Sequence, residues 1–229
     1  MAEIGYGYGS EWHLMRFMAR HRKLLEKAIR ESIGDVKEGE AFDWFDFKFS
    51  SSGITSNNEI KGLSFLDDGQ SIKGYIKSDW QSWDAIFRLE DTFYLVEAKA
   101  HIEEMRGDCS SDEAKSQEKI KDYICNNLGR LGISIDRDMC LVNYYQLANR
   151  LATAAFLKNN GIDARCIYIY FINGYEKPNE IKNASAEMFI DEINKEKAFL
   201  GLKGGNLEDL LHHVFIDAKT GEIINPKHQ

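Results

Sequence analysis

The sequence is poor in proline and has no long run of apolar residues. Only two prolines occur among its 229 residues, and no segment is repetitive or of low complexity. The composition therefore gives no sign of a linker between domains. No apolar stretch reaches the roughly 18 residues that a membrane helix needs. The first residues, MAEIGYGYGSEW, lack the basic start and apolar run of a signal peptide. We therefore expect a cytoplasmic protein with no membrane association.

Cysteine is scarce, and several common motifs of enzyme sites are missing. The four cysteines are widely spaced and form no C-x-x-C pair: Cys109, Cys125, Cys140 and Cys166. This pattern predicts reduced cytosolic thiols rather than a zinc knuckle. The chain also contains no P-loop, no G-x-S-x-G sequence and no metal-binding histidine pair.

The chain has too little positive charge for a protein that coats nucleic acid. Its formal net charge is -8, and nonspecific nucleic-acid binding favours basic surfaces. An enzyme that gathers carboxylates around a metal is still compatible with this balance. One segment, 11–30, carries six basic residues against two acidic ones. Such a run usually marks a solvated helix face, although Arg16, Arg20 and Lys23 could also contact a nucleic acid.

The hydrophobic pattern predicts a mixed α/β chain. Hydrophobic residues make up 43% of it, which is enough for one sizeable core. Apolar spacings of three and four predict helices, whereas alternating or continuous apolar runs predict strands. We expect helices at 11–32, 113–129, 139–160, 184–200 and 206–214, and strands at 43–49, 60–65, 71–77, 83–89, 92–100 and 164–172. The long apolar run at 164–172 is typical of a fully buried strand.

This order predicts a central mixed sheet flanked by helices, with antiparallel strands first and a later strand added through a helical crossover. We expect a single domain over residues 1–229, in which 174–229 form a C-terminal helical extension.

The segment TFYLVEAKA, 92–100, ends an apolar strand with two opposite charges. Side chains alternate along a strand, so Phe93, Leu95, Glu97 and Lys99 share one face. The two large apolar residues place this face against the core. Glu97 and Lys99 should therefore lie where the core face reaches its edge.

The neighbouring strand brings a second carboxylate to the same place. If Glu90 and Asp91 form a two-residue turn, Leu89 faces Thr92, and Asp84 lies directly across from Glu97. Opposed carboxylates repel each other, and this pair costs stability unless a proton or a cation is shared. A third carboxylate, Glu11, extends the core-facing stripe of the first helix at its first turn. If Glu11 has only a structural role, it stabilises the helix by interacting with the helix dipole, which contributes about 0.3–1 kcal/mol.

Asp84, followed by Glu97-Ala98-Lys99, resembles the motif of the PD-(D/E)xK phosphodiesterase superfamily, the restriction-endonuclease-like fold. The preceding helix, in GYGSEWHL, is similar to the opening helix of archaeal Holliday-junction resolvases and of many restriction enzymes. The resemblance covers roughly residues 5–173. Trp83 stands where the motif has proline, and Gln146 is followed four residues later by Arg150 where some branches have tyrosine.

The resemblance implies a restriction-endonuclease-like core and Mg²⁺-dependent cleavage of DNA. Asp84, Glu97 and the Ala98 carbonyl would bind Mg²⁺, or Mn²⁺ in its place, and Glu11 would bind through water or help to hold a second ion. Lys99 would orient or deprotonate the attacking water, or stabilise the charge on the phosphate. Gln146 and His101 would lie next to these metal-binding and catalytic residues.

The resemblance also implies that the basic helix 16–30 and the loop 103–112 lie near the phosphate path. The acidic balance elsewhere is consistent with a selective enzyme or with one that works as a homodimer.

Three alternatives stay open. The four charged residues could form a structural ion-pair cluster. The chain could be a catalytically silent module of the same fold that binds nucleic acid or assembles with partners. It could also hydrolyse RNA or small phosphodiesters. A second set with identical spacing, Asp46 with Glu59-Ile60-Lys61, is the weaker motif because Glu59 begins a strand instead of ending an apolar one.

Overall fold

The computed structural model describes residues 9–34, 39–45, 60, 61, 63, 66, 81–174 and 184–224. Its helices are α1 (Ser10–Arg20), α2 (Arg22–Ile33), α3 (Ala114–Arg130), α4 (Tyr145–Asn159), α5 (Ala186–Phe199) and α6 (Leu207–Leu210). Its strands are β1 (Asp43–Trp44), β2 (Ile60–Lys61), β3 (Ser82–Trp83), β4 (Ala85–Leu89), β5 (Thr92–Lys99), β6 (Ala164–Ile172) and β7 (Leu211–Asp217). The chain is therefore of the α/β class, as predicted.

Five strands form an open mixed sheet in the order β1-β4-β5-β6-β7. The β1–β4 and β4–β5 pairs are antiparallel, and the β5–β6 and β6–β7 pairs are parallel. The predicted combination of early antiparallel strands with a strand added through a helical crossover is confirmed. The short strands β2 and β3 pair separately from this sheet.

Helices cover both faces of the sheet, so the sheet has a core on each side. On one face, α1 and α2 pack against Tyr94, Val96 and Ala98 of β5. On the other face, α3, α4 and α5 pack around Leu95 of β5 and the tyrosines of β6. Because side chains alternate along a strand, Glu97 and Lys99 belong to the face covered by α3, α4 and α5.

The predicted first helix is two helices. The chain leaves helical geometry at His21, where φ is -131°, and α2 then ends at Ile33, followed by Gly34 as its C-terminal cap. The break has a packing reason: α1 contacts β5 and β6, whereas α2 contacts β7. One straight helix could not follow both directions. Gly9, and not Ser10, occupies the position before the first helical turn.

Two other helix predictions are wrong at their bounds or in type. The helix expected over 139–160 begins only at Tyr145, because Asn143 adopts a left-handed conformation (φ 57°) and the preceding residues form turns. The helix expected over 206–214 is short, and Leu211–Asp217 forms β7 beside β6. The segment 174–229, expected to be a helical extension, therefore supplies a strand of the central sheet as well as α5 and α6.

The early strand predictions can be checked only in part. Asp43–Trp44 pairs with β4, and Ile60–Lys61 pairs with β3. Residues 46–59 and 67–80 lie outside the described residues, and with them the predicted strand 71–77, Asp46 and Glu59. None of the helices described here combines the length and apolar character required to cross a membrane.

Candidate active site

The β4–β5 hairpin has the register that the sequence predicts. Leu89 lies opposite Thr92, and Ala85 lies opposite Val96. Glu90 makes the tight turn with a positive φ of 50°. Continuing this register by one residue brings Asp84 level with Glu97. Asp84 itself sits in a bend just before β4 and is half-buried.

The Asp84 carboxylate is held against the end of β5. Its Oδ2 accepts a hydrogen bond from the Ala98 backbone N–H at 2.7 Å. The N–H and C=O groups of one residue in an antiparallel ladder point toward the same neighbouring strand. The Ala98 carbonyl is therefore also directed toward the side on which Asp84 lies.

Glu97, Lys99 and Gln146 form a closed hydrogen-bonded triangle. The Lys99 ammonium donates to Glu97 Oε1 at 2.8 Å and to Gln146 Oε1 at 2.6 Å. Gln146 Nε2 in turn donates to Glu97 Oε1 at 2.7 Å. Only 5% of the Lys99 side chain and 6% of the Glu97 side chain are exposed. This geometry fixes both side chains without any bound ligand.

Arg150 completes the cluster, and the sequence pattern did not identify it. Its Nε donates to Glu97 Oε2 at 3.0 Å, and its Nη2 donates to the Ser82 carbonyl at 2.7 Å. Its guanidinium also lies 4.7 Å from the centroid of the Trp83 ring. Gln146 and Arg150 are four residues apart on α4 and so share one helix face. That spacing is the signal that could have found Arg150.

The pKa values of the two carboxyl groups of the site are shifted in opposite directions. Burial raises the pKa of Asp84 to about 8, and the neighbouring Glu97 carboxylate adds to the effect. Burial also acts to raise the pKa of Glu97, but Lys99 and Arg150 outweigh it and hold that pKa below its ordinary value. The site therefore keeps one carboxylate charged and favours a proton or another cation at Asp84.

This electrostatic imbalance predicts that Asp84→Asn stabilises the protein in alkaline solution. An unfolded aspartate has a pKa of about 3.9, while Asp84 in the folded chain has a pKa of about 8. The folded state holds the proton more tightly, so Asp84 lowers stability as pH rises from about 4 to about 8, with the full loss present above that range. In EDTA, we expect Asp84→Asn to raise the free energy of unfolding by on the order of 2 kcal/mol above pH 8 and by little at pH 4. Urea unfolding at both pH values measures this difference.

Asp163→Asn is the matched control with the opposite sign. Burial acts to raise the pKa of Asp163, but hydrogen bonds from Lys158 and Thr92 outweigh it and hold the pKa below its ordinary value. Its charged form thus stabilises the fold at neutral pH, and its replacement should reduce stability there. If Asp84→Asn also destabilised the protein above pH 8, the assigned cost of burying a charged Asp84 beside Glu97 would be wrong.

Glu11 lies in the first turn of α1 and is half-buried. The Ser10 N–H contacts Glu104 Oε1 at 3.4 Å, and Glu104 also accepts from the Ala100 N–H at 2.6 Å. The start of α1 is therefore held near the end of β5. Within the described ranges, no three His, Cys, Asp or Glu side chains lie together as a group that could hold a metal. Glu11, Asp84 and Glu97 are thus not gathered into a three-carboxylate site.

Of the remaining predicted residues, only His101 lies on the segment that follows the centre. His101 is buried directly after β5, before a short 3₁₀ turn at Ile102–Met105. Arg16 donates to the Ala218 carbonyl and lies 5.2 Å from the centroid of the Trp12 ring, so it is engaged within the protein. Arg20 and Lys23 are exposed. All three basic residues belong to the helices on the sheet face opposite to Glu97 and Lys99.

No protein-family model, no curated protein and no solved structure matches this chain. The PD-(D/E)xK motif therefore remains a resemblance carried by the residues and their placement.

Proposed function

We propose that this chain is a Mg²⁺-dependent phosphodiesterase of the restriction-endonuclease-like fold that hydrolyses DNA. The element order supports the fold: an opening helix, antiparallel strands, helices and a parallel strand around one mixed sheet. The observation that carries the function is the end of the β4–β5 hairpin. There, at the C-terminal end of β5, Asp84 accepts from the Ala98 N–H, and Lys99 is bonded to the neighbouring Glu97.

The oxygen atoms at this end of β5 suit a hard divalent cation. Mg²⁺ prefers oxygen ligands and is usually held by one or two carboxylates, several waters and substrate phosphate. Asp84 uses one carboxylate oxygen for the Ala98 N–H, and the Ala98 carbonyl is directed to the same side. Glu97 supplies the second carboxylate. Bound Mg²⁺ would neutralise phosphate charge and lower the pKa of its water.

The hydrogen bonds of Lys99 support a role for it at the reacting atoms. Its ammonium is buried and fixed by two hydrogen bonds, to Glu97 and Gln146. A positioned ammonium stabilises charge that develops on a phosphoryl group, and it costs no reorganisation during the reaction. We infer that Lys99 orients the attacking water or stabilises this charge. Gln146 then acts as a positioning residue, since it holds the Lys99 ammonium from the other side.

Arg150 gives Glu97 a permanent positive neighbour. Its Nε occupies Glu97 Oε2, and a guanidinium remains charged at any accessible pH. The side of Glu97 that faces Arg150 is therefore already neutralised. We infer that a catalytic cation binds between Glu97 and Asp84, where it would displace one of the donors that Glu97 now holds.

One observation favours a second candidate, a catalytically silent module. Both Glu97 oxygens accept hydrogen bonds from side chains, which are Lys99, Gln146 and Arg150. A cluster satisfied in this way can be purely structural. A metal would have to replace one of these bonds, whereas a structural cluster would keep them all.

DNA cleavage with Mg²⁺ against EDTA tests the proposed function. We expect plasmid, linear duplex and branched DNA to include a substrate that the wild-type protein cuts only with Mg²⁺ or Mn²⁺. Asp84→Asn should abolish this cutting, although it leaves the fold at least as stable. Asp163→Asn, which removes a carboxylate paired with Lys158, should still cut. Metal-independent cutting, or full activity of Asp84→Asn, would exclude the assigned site, and cutting of RNA alone would redirect the substrate class.

A further inference from the structure

A cleft of 320 Å³ opens directly beside the candidate active site. It lies between the loop that follows β5, the start of β3 and the first two turns of α4. Gln146 and Arg150 line it, and both donate hydrogen bonds to Glu97. The cleft and the proposed reaction centre therefore share a wall. Pockets for small ligands occupy about 300–1,000 Å³, so this one is large enough for a single small unit and too small for a duplex.

The lining combines an aromatic ring with side-chain amides. Tyr145, the first residue of α4, is half-buried and lines the cleft. Gln81 and Asn149 also line it, and they are joined because Gln81 Nε2 donates to Asn149 Oδ1. Aromatic rings stack on nucleobases of any sequence. Both amide side chains are buried, and Gln81 Nε2 donates a second hydrogen bond to the Asn149 carbonyl, so this pair forms part of the cleft wall.

A positioned guanidinium adds a partner for phosphate. Arg106 lines the cleft, and its Nε donates to Glu192 Oε1 at 2.6 Å. Glu192 is itself buried and accepts a second hydrogen bond from the Tyr144 hydroxyl at 2.7 Å. This support orients Arg106 while 47% of its side chain stays exposed. Oriented guanidinium groups suit bidentate binding of phosphate.

The acidic residues of the lining are occupied by backbone groups. Glu104 Oε2 accepts from the Ala100 N–H at 2.6 Å, and Asp108 Oδ1 accepts from the Asn143 N–H at 2.5 Å. Each carboxylate thus has a donor that offsets part of its charge. The lining as a whole therefore offers a ligand the ring of Tyr145 and the guanidinium of Arg106.

We propose that this cleft binds one nucleotide next to the scissile phosphate, with its base unstacked from the neighbouring bases and laid against Tyr145. The proposal rests on the function proposed above, because the shared wall at Gln146 and Arg150 places the nucleotide beside the reacting phosphate. A base must leave the stack to enter such a pocket, as it does in enzymes that extrude a nucleotide to act on it.

Binding of mononucleotides in EDTA tests the proposal without any cleavage. The probes are the four deoxynucleoside 5′-monophosphates, the matching deoxynucleosides and inorganic phosphate, titrated into the full chain by calorimetry. At least one nucleotide should bind more tightly than phosphate alone. Tyr145→Ala should weaken nucleotide binding by about tenfold through the loss of stacking, whereas Tyr145→Phe should preserve it. Arg106→Gln should weaken both nucleotides and phosphate. Arg137→Gln is the matched control, because Arg137 also pairs with a glutamate, Glu118, on α3, and it should change nothing.

Three results would overturn the proposal: no nucleotide binds, phosphate binds as tightly as every nucleotide, or Tyr145→Ala binds like the wild type. Failure of the nucleotide site can be distinguished from failure of the proposed nuclease function. If nucleotides bind as expected and no DNA is cut, the nuclease proposal fails and the nucleotide site stands. If DNA is cut normally by Tyr145→Ala and Arg106→Gln, the cleft proposal fails and the nuclease stands.

Discussion

Lys99→Met is expected to slow Mg²⁺-dependent cleavage by about a thousandfold while metal binding persists. Methionine keeps an unbranched apolar stem but carries no charge and no proton. A positioned proton donor or acceptor contributes typically 10²–10⁴-fold to catalysis, and Lys99 is the one ammonium bonded to Glu97 in the described part of the chain. Since Asp84, Glu97 and the Ala98 carbonyl are retained, the loss should fall on kcat. Single-turnover cleavage at saturating Mg²⁺ measures it.

Lys158→Met is the control for this change. Lys158 also pairs with a carboxylate, that of Asp163, but it lies near the end of α4, twelve residues after Gln146. At a rise of 1.5 Å per residue, this separation is about 18 Å along the helix. Lys158→Met should cut DNA at the wild-type rate. Cleavage by Lys99→Met within tenfold of that rate would remove Lys99 from the mechanism.

Arg150→Met is expected to lower the free energy of unfolding by about 2–3 kcal/mol. Glu97, only 6% exposed, keeps its bond to Lys99 but loses the charged hydrogen bond at its Oε2 atom. The Ser82 carbonyl loses its donor as well, and a buried polar group left without its partner costs about 1–3 kcal/mol. Urea unfolding in EDTA measures the loss.

Two further variants show whether this cost comes from the buried charge. Arg137→Met removes an arginine that also pairs with carboxylates, but at the exposed surface of α3; exposed pairs contribute about 0–1 kcal/mol. Glu97→Gln and Lys99→Met combined with Arg150→Met remove all three charges of the cluster, so this variant should recover much of the stability. A loss of less than about 1 kcal/mol for Arg150→Met alone would mean that Glu97 does not depend on it.

The local part of the site could be predicted from the sequence. The two-residue turn at Glu90 and Asp91 fixes the hairpin register, because each strand residue then has one partner on the other strand. Strand alternation places Glu97 and Lys99 on the same face. Both inferences use neighbours within about fifteen positions along the chain, where backbone geometry leaves few alternatives.

The long-range part could not be predicted in the same way. Arg150 reaches Glu97 across 53 positions, and its role depends on how α4 packs on β5. In the sequence, Arg150 stood out only because some branches of the family have tyrosine at this position. The break at His21 likewise follows from packing on two different strands, which the continuous apolar stripe of the sequence did not reveal.

The strand β7 was missed for a related reason. Its sequence, LHHVFID, is short and follows a helical stretch, so its apolar residues fit helical spacing almost as well as strand spacing. Burial decides between them: Val214, Phe215 and Ile216 are all buried where β7 pairs with β6. The strand covers an edge of β6 that would otherwise expose unpaired backbone groups.

Calorimetric titration with Mn²⁺ tests the central claim most directly, because it requires no knowledge of the substrate. The wild-type protein should bind Mn²⁺ in the absence of DNA. Asp84→Asn and Glu97→Gln should each abolish or greatly weaken this binding, whereas Asp163→Asn should bind like the wild type. Absence of Mn²⁺ binding to the folded wild-type protein, or equal binding by Asp84→Asn, would contradict the metal-dependent site. The cluster of Glu97, Lys99 and Arg150 would then be structural, and the silent module would be the better account.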